Sequence, residues 1–374
     1  MKFNVDCQHY LGGRPCKCNR LCEDCPDYET DGPRVLIIKT GAMGDVLRTT
    51  SLLPALYRGG SGARIAWLTA PEAAPLLIGN PLVHEIIPFD HAAYPSLAPR
   101  KFDLLISLDK EPGPAGMAEI INAKRKAGAG LSPCGAAYPL NAEAEYYFAL
   151  GLSDELKFRQ NKKTYHELIA EAAGLEYNGE RPVLNLASME IEYGMEVLKR
   201  SGWDGSQPVV GINTGSGTGF ANKMLSAAAI LDVIDIISSA TKGVFIALLG
   251  GPLERDKNNH IARASNLRAV DTGCNHSLRG FAGIVNHCGA VLSGDTLALH
   301  IAVALGRKVA ALFGPTVDVE IDLFGNGVKL TGNTQCRPCY KQNCDIAPTC
   351  MDALRLEQVA DAVVKLLEQE KIIK

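Results

Sequence analysis

The spacing of apolar residues changes at Pro33. Residues 1–33 are rich in Cys, Gly and Pro and show no regular apolar period. After Pro33, short continuous apolar runs alternate with longer segments of helical spacing. Strands buried in a parallel sheet carry continuous apolar runs, and the helices that cover them carry an apolar stripe. The pattern therefore predicts an α/β protein preceded by an irregular, Cys-rich extension.

The alternation of strands and helices occurs twice. In the first series it predicts strands at 35–39, 64–69, 83–88 and 102–107, and helices at 46–57, 71–78, 115–127 and across most of 142–203. In the second series it predicts strands at 208–213, 244–249, 291–293 and 309–313, and helices at 227–239, from 255, and at 277–286, 296–305 and 356–370. Two such series predict two α/β domains that meet near residue 205 and face each other across a cleft.

The domain boundaries follow from these changes in pattern. We expect an extension, a first domain, a second domain with a Cys-rich tail, and a closing helix, at 1–33, 34–205, 206–350 and 351–374. In open parallel sheets, ligands bind outside the carboxyl ends of the strands. The loops that directly follow strands are therefore the candidates for function.

Composition and charge narrow the class of protein. The chain has 374 residues, of which 47% are hydrophobic and 21% charged, and its net charge of -3 shows no basic excess. Nucleic-acid binders usually have such an excess, so we expect no nucleic-acid partner. No apolar run is long enough to span a membrane, and the first residues lack the apolar stretch of a signal peptide. These features predict a cytoplasmic location.

The first candidate loop is Lys-Thr-Gly-Ala-Met-Gly-Asp, residues 39–45, after the first strand. Asp45 stands where a helix begins, and Asp is a common helix cap. A carboxylate at the edge of a cleft can also act as a general base toward a hydroxyl. The residues alone leave both roles open.

Two further loops, both in the second series, suit an anion. Residues 213–223 interleave Thr214, Gly215 and Ser216 with further glycines and end at Lys223, which suits a phosphate or else a flexible surface loop. Residues 293–300 place Asp295 and Thr296 at the start of a helix, with His300 one turn later. Such a helix start suits a phosphate, although a helix cap and a core histidine are the alternatives.

Taken in order, these loops resemble glycosyltransferase family 9, the ADP-heptose:lipopolysaccharide heptosyltransferases. The resemblance covers roughly residues 34–370 and rests on residues 38–46 (IKTGAMGDV), 213–216 with Lys223, 249–254 (LGGPLE), and 294–300 running into 311–316 (ALFGPT). It implies the GT-B fold, in which two Rossmann-like domains bind acceptor and donor. It also implies an inverting transfer that requires no cofactor for catalysis.

The resemblance assigns roles to single residues. It implies that Asp45 is the catalytic base. It implies donor binding by Thr214, Gly215, Ser216, Lys223, Glu254, Asp295, Thr296 and His300, with residues 277–281 near the adenine. Many family members have Gly after the Asp-Thr pair, whereas this chain has Leu297.

The partners implied by this family are an ADP-sugar donor and a lipopolysaccharide core or other glycan acceptor. A lipid-anchored acceptor would bring the protein to the inner membrane peripherally, and an oligomer is compatible with the sequence. Two other functions stay open: a GT-B-fold nucleotide-sugar epimerase, which needs no acceptor, and a non-catalytic, metal-organised binding or assembly module.

Nine of the twelve cysteines lie in two clusters. The C-terminal quartet is Cys336, Cys339, Cys344 and Cys350; the N-terminal set is Cys7, Cys16, Cys18, Cys22 and Cys25, with His9 nearby. Four thiolates can hold a tetrahedral zinc or iron ion. A structural Zn or Fe is therefore one hypothesis for either cluster, with free thiols and disulfides as the alternatives.

Overall fold

The computed structural model describes residues 1–58, 60, 62–217 and 221–373. Two six-stranded sheets, each covered by helices, form its two halves. The elements of the first half are β1 (Arg34–Ile38), α1 (Met43–Thr49), α2 (Leu52–Tyr57), β2 (Arg64–Thr69), β3 (Glu85–Pro88), α3 (Ala93–Leu97), β4 (Lys101–Ser107), α4 (Pro112–Ile120), β5 (Asn122–Leu131), β6 (Ala137–Pro139), α5 (Glu145–Ala149) and α6 (Tyr165–Ala172). The elements of the second half are α7 (Ser188–Arg200), β7 (Val209–Asn213), α8 (Ala227–Ala240), β8 (Phe245–Leu249), α9 (Arg255–Ala264), β9 (Ala269–Asp271), α10 (Leu278–Asn286), β10 (Ala290–Gly294), α11 (Leu297–Ala304), β11 (Lys308–Phe313), β12 (Gly327–Thr331) and α12 (Leu356–Ile373).

The strand orders are those of doubly wound sheets. The first sheet has the order β3-β2-β1-β4-β5-β6 and the second β12-β11-β10-β7-β8-β9. The pairs are parallel, apart from the antiparallel pair β5–β6. The central strands are buried on both faces, as their apolar runs predict. The predicted two-domain α/β fold is confirmed.

The predicted helix at 115–127 is wrong in its second part. The chain leaves α4 at Ile120 and forms strand β5, which pairs with β4. Gly128 has φ +92°, and a Cβ there would lie 1.9 Å from the carbonyl oxygen of Ser107. A position that excludes a side chain supports close pairing of the two strands, which a local helical pattern cannot reveal.

Helix α7 lies on the second sheet, although the sequence pattern grouped it with the first half. It packs on α10 at the closest approach of Gly194 to Gly283, where a Cβ on Gly194 would lie 2.2 Å from the Gly283 carbonyl. Val197 and Leu198 are buried in the core of the second half. The final helix α12 also packs on this half, against α8 and β11. In the part of the chain that the structure describes, no helix is long and apolar enough to span a membrane.

The halves meet at the base of the cleft. Leu47 of α1 and Leu76 lie in the apolar core of the second half. Arg279 of α10 donates to the carbonyls of Pro75 and Ile78, at 2.8 and 3.0 Å. These contacts set the two sheets so that the loops after their strands face one another.

Candidate active site

A cavity of about 860 Å³ lies between the carboxyl ends of the two sheets. A volume of this size is typical of a site for a small molecule. Its lining includes most of the candidate residues from both halves: Asp45, Gly215, Ser216, Lys223, Glu254, Asp295, Thr296 and His300. The fold thus brings together residues that lie up to 255 positions apart in the chain.

Asp45 occupies the third position of α1 and is not its cap. The cap position is Ala42, and no side chain caps this helix. The Asp45 carboxylate accepts a hydrogen bond from Arg48 Nη1 at 3.1 Å, and 35% of its side chain is exposed. The cap interpretation is therefore wrong. The carboxylate lines the cavity and is open to a ligand.

Arg48 forms an ion pair with Asp45 and was not predicted from the sequence. Its side chain is buried, donates to the Glu320 carbonyl at 2.8 Å, and lies 3.8 Å from the ring centre of Tyr165. Arg48 therefore connects the first half to the loop after β11. Its position three residues after Asp45 was the available signal, because such residues share a helix face.

A buried ion pair supports the loop before Asp45. Lys39 pairs with Asp109, and Thr40 Oγ1 donates to the same carboxylate at 2.7 Å. Burial opposes the charge of Lys39, but the carboxylates of Asp109 and Asp45 together with Tyr147 outweigh it and raise the pKa of the amine. The pair anchors residues 39–41 to the end of β4.

Asp295 sits at the centre of a charged cluster in the second half. Its carboxylate lies 3.4 Å from Lys223 Nζ and 3.6 Å from His300 Nε2. Burial opposes its ionisation, but the His300 ring and the charges of Lys223 and Arg48 hold the pKa of the Asp295 carboxyl below its usual range. The carboxylate stays charged and orders both neighbours.

His300 lies between the two halves. Burial lowers the pKa of its ring, against the opposing effect of Asp295, so the ring is neutral at pH 7. It packs on Gly44 so closely that a Cβ there would lie 2.6 Å from the ring. A glycine beside Asp45 thus allows α1 and α11 to meet at the cavity.

The glycine-rich loop is held from within. Thr214 is buried and donates to Asn258 Oδ1 at 2.5 Å, so its hydroxyl does not line the cavity. Asn213 donates to Gly215 O at 2.7 Å and to the hydroxyl of Thr296 at 3.2 Å. Gly215 and Ser216 line the cavity. Residues 218–220 of the predicted loop lie outside the described residues.

The start of α11 faces the cavity without a side-chain cap. Thr296 occupies the cap position, but its hydroxyl contacts Ser293 Oγ at 3.1 Å and makes no cap hydrogen bond. In contrast, Ser277 caps α10 through the Gly280 N–H. An uncapped helix start can offer its N–H groups to an anion.

Glu254 also lines the cavity, next to the glycine-rich loop. Its carboxylate accepts a hydrogen bond from the Gly251 N–H at 2.8 Å. A Cβ on Gly215 would lie 2.1 Å from this carboxyl group, so a side chain there would displace Glu254 from its present position. Lys257, which the sequence did not single out, donates to the Thr214 and Leu225 carbonyls at 2.9 Å and fixes the same loop.

Cations and aromatic rings form the cavity wall beyond Asp45. Lys110 lies 4.1 Å from the ring centre of Tyr147, and burial together with Lys157 lowers the pKa of its amine to about 8. Lys157 lies 4.3 Å from the ring of Tyr340, which stacks on Phe158 across the cleft. Among the described residues, neither lysine forms an ion pair with a carboxylate. This wall suits an anionic, ring-shaped ligand.

In the part of the chain that the structure describes, no two cysteines form a disulfide. The C-terminal quartet lies in the loop that carries Tyr340 into the cavity. Burial and the neighbouring thiols Cys339, Cys344 and Cys336 raise the pKa of Cys350, so the four are near one another. Among the described residues, no three His, Cys, Asp or Glu side chains are arranged to hold a metal ion.

Two doubly wound sheets that face each other across a cleft, with glycine-rich loops on one side and an accessible carboxylate on the other, define a GT-B-like fold. Residues 152–349 match the family model described as glycosyltransferase family 9 (heptosyltransferase). The chain belongs to this family and is a glycosyltransferase. No curated protein matches it significantly by sequence.

Solved structures agree with this fold. A glycosyl transferase family 9 protein from Veillonella parvula superposes with a TM-score of 0.71 at 16% identity, over 91% of this chain and 98% of that one. The E. coli ADP-heptose lps heptosyltransferase II gives 0.68 at 19% identity, over 90% and 99%. The dodecameric, iron-containing heptosyltransferase TibC, in complex with ADP-D-beta-D-heptose, gives 0.51 at 13% identity, over 93% and 81%.

Proposed function

We propose that this glycosyltransferase moves a heptose, or a related sugar, from an ADP-sugar to a hydroxyl of a lipopolysaccharide core or related glycan. One observation carries the proposal. Asp45 and the cluster of Lys223, Asp295 and His300 line a single cavity from opposite halves. A base and a diphosphate site that face each other are what a displacement at an anomeric carbon requires.

The donor side suits a nucleoside diphosphate. Lys223 supplies positive charge, and the backbone of Gly215 and the start of α11 supply N–H groups at the same wall. These donors would stabilise the charge that develops on the departing diphosphate. An adenine base and a heptose are supported by the family and by the ligand named for TibC.

The acceptor side suits a hydroxyl that carries an anionic group nearby. Asp45 removes the proton of the acceptor hydroxyl. At the same time the hydroxyl oxygen bonds to the anomeric carbon, and the bond from that carbon to the diphosphate breaks. Attack from the face opposite the leaving group inverts the anomeric centre. Lys110 and Lys157 would hold a phosphate or carboxylate of the acceptor, and Tyr147 and Tyr340 would contact its sugar rings.

The C-terminal quartet is proposed to hold a structural zinc or iron ion. Four neighbouring thiols and the iron named for TibC support this role. The sulfurs do not surround a common point as they stand, so binding would draw them inward. No step of the transfer passes through this metal, whose role would be to hold the loop that carries Tyr340.

Calorimetry with ADP, UDP, GDP and ADP-heptose tests the donor. We expect selective binding of ADP and ADP-heptose; a preference for UDP would retain the transferase but exclude the ADP-sugar. Release of ADP must then depend on an added glycan. Conversion of the nucleotide-sugar without any acceptor would instead support an epimerase.

A further inference from the structure

The N-terminal extension is folded without an apolar core. All of residues 1–33 are described, and Asn4 is the only buried residue among them. Large apolar side chains point to solvent, with Phe3, Val5 and Leu21 at least 60% exposed. The segment contains one isolated bridge, Cys7 to Thr30, and no helix or longer strand. Hydrophobic burial therefore does not explain its fold.

Small segments without a core usually need a disulfide or a metal to hold them. The five cysteines of this segment are free thiols. They are grouped around one small cavity of about 20 Å³, whose lining includes Cys7, Cys16, Cys18, Cys22, Cys25 and His9. The cavity has room for one small ion, and sulfur and imidazole donors surround it. An ion bound there would cross-link the extension.

The imidazole of His9 has the environment of a metal ligand. Its Nδ1 is buried and has no hydrogen-bond partner, and its Nε2 lies 3.6 Å from Glu29 Oε2. A buried polar atom without a partner is unusual in a folded protein. Histidines that bind metals typically direct the second ring nitrogen at a carboxylate, which orients the ring and fixes the tautomer. Glu29 is placed for that role.

We propose that the N-terminal cavity binds one structural zinc ion through His9 Nδ1 and three of the five thiols. Tetrahedral coordination by sulfur and nitrogen is characteristic of zinc. The donors line the cavity but do not yet converge on one point, so binding draws them inward and releases the three thiol protons. Zinc replaces the missing core and fixes the extension to the first sheet through Asp31, which pairs with Arg34 and Arg64.

This site is separate from the C-terminal quartet and does not depend on the proposed transferase activity. The test therefore uses the full chain with Cys336→Ser and Cys344→Ser, which removes metal binding by the quartet. Anaerobically purified protein is analysed for zinc and iron by mass spectrometry. X-ray absorption then counts the sulfur and nitrogen ligands of the bound metal.

We expect about one zinc per chain, with three sulfurs at about 2.3 Å and one nitrogen at about 2.0 Å. His9→Ala and three of the five single Cys→Ser changes in the extension should lose most of the zinc. Cys134→Ser, at an exposed thiol outside both clusters, should keep it. Circular dichroism shows whether each variant retains the two α/β halves.

Limited proteolysis provides a second measurement that does not require variants of the proposed zinc ligands. Chelation of the metal in the chain with Cys336→Ser and Cys344→Ser should accelerate cleavage within residues 1–30 and leave the cleavage of later residues unchanged, and added zinc should reverse the change. Protein without zinc, iron in place of zinc, or full zinc content in His9→Ala would each overturn the proposal.

Discussion

Two carboxylates line the same cavity from opposite halves, in different surroundings. Asp45 is about one third exposed and pairs with Arg48. The side chain of Asp295 is only 15% exposed and lies between Lys223 and His300. Asp45 lies in the first turn of α1 and Asp295 directly follows β10, so both stand where a central strand leads into a helix. Their neighbours from distant parts of the chain make them different.

In the proposed mechanism, this difference separates the base, Asp45, from a carboxylate that orients its neighbours, Asp295. A base must reach its substrate and release its proton again, which an accessible carboxylate can do. Because its pKa is lowered, Asp295 is a weak base. It instead provides a fixed negative charge that orients Lys223 and the His300 ring. The following changes test this division, from the largest expected effect to the smallest.

Replacing the reactive carboxylate should have the largest effect. Asp45→Asn keeps the size of the side chain but cannot accept the proton, so we expect turnover to fall about 10²- to 10⁴-fold. Affinity for the donor should change little, as measured by calorimetry. Asp232→Asn, at an exposed site on α8, is the control. Near-normal turnover in Asp45→Asn would remove this residue from the mechanism.

Replacing the organising carboxylate should affect stability as well as binding. Asp295→Asn removes the carboxylate that pairs with Lys223 and His300, and the loss of one member of a largely buried ion pair typically costs about 3–5 kcal/mol. Thermal unfolding should occur at a lower temperature, and donor affinity should fall.

The pH dependence of this loss has a definite sign. The folded-state pKa of Asp295 is lowered, so its contribution is fully present above the unfolded pKa of about 3.9 and is lost as the pH falls below it. The gap in unfolding free energy between wild type and Asp295→Asn should therefore narrow in acid. A gap that widens in acid would contradict a charged Asp295.

Removing the cation beside Asp295 should weaken binding of the nucleotide donor. Lys223→Ala deletes a charged hydrogen-bond donor, worth about 1.5–3 kcal/mol, or roughly 10- to 100-fold in ADP affinity. Calorimetry compares it with Lys242→Ala, an exposed lysine after α8. Equal ADP affinity in the two variants would exclude Lys223 from the diphosphate site.

The smallest effect should come from loss of the charge on Lys110, in the cavity wall beyond Asp45. Because the pKa of Lys110 is lowered to about 8, its charge is present below pH 8 and lost above it. The KM for an anionic acceptor should rise by up to about fivefold through this range, since one partly exposed charge contact is worth about 1 kcal/mol. Lys110→Gln should have the high KM at every pH, whereas exposed Lys101→Gln should behave as wild type. A KM that stays constant through pH 8 would count against an anionic acceptor.

Much of the fold is readable from local pattern. Eight strands were predicted near their observed positions because continuous apolar runs mark strands that are buried on both faces. β5 was missed because its first residues are polar or charged and its identity comes from pairing with β4. Helix α7 was grouped with the wrong half because an apolar stripe does not reveal which sheet it will cover.

The candidate site shows the same limit. The sequence determined the loops, since glycines and small hydroxyl residues directly after a strand predict a ligand-binding loop from local sequence alone. Asp45, Lys223 and Asp295 were identified as candidates in that way. The tertiary structure decided which groups face the cavity. The Thr214 hydroxyl points into the protein toward Asn258, whereas Lys110 and Tyr340 line the cavity wall beyond Asp45. Burial, and the pKa values that follow from it, depend on residues far apart in the chain, so no local pattern could contain them.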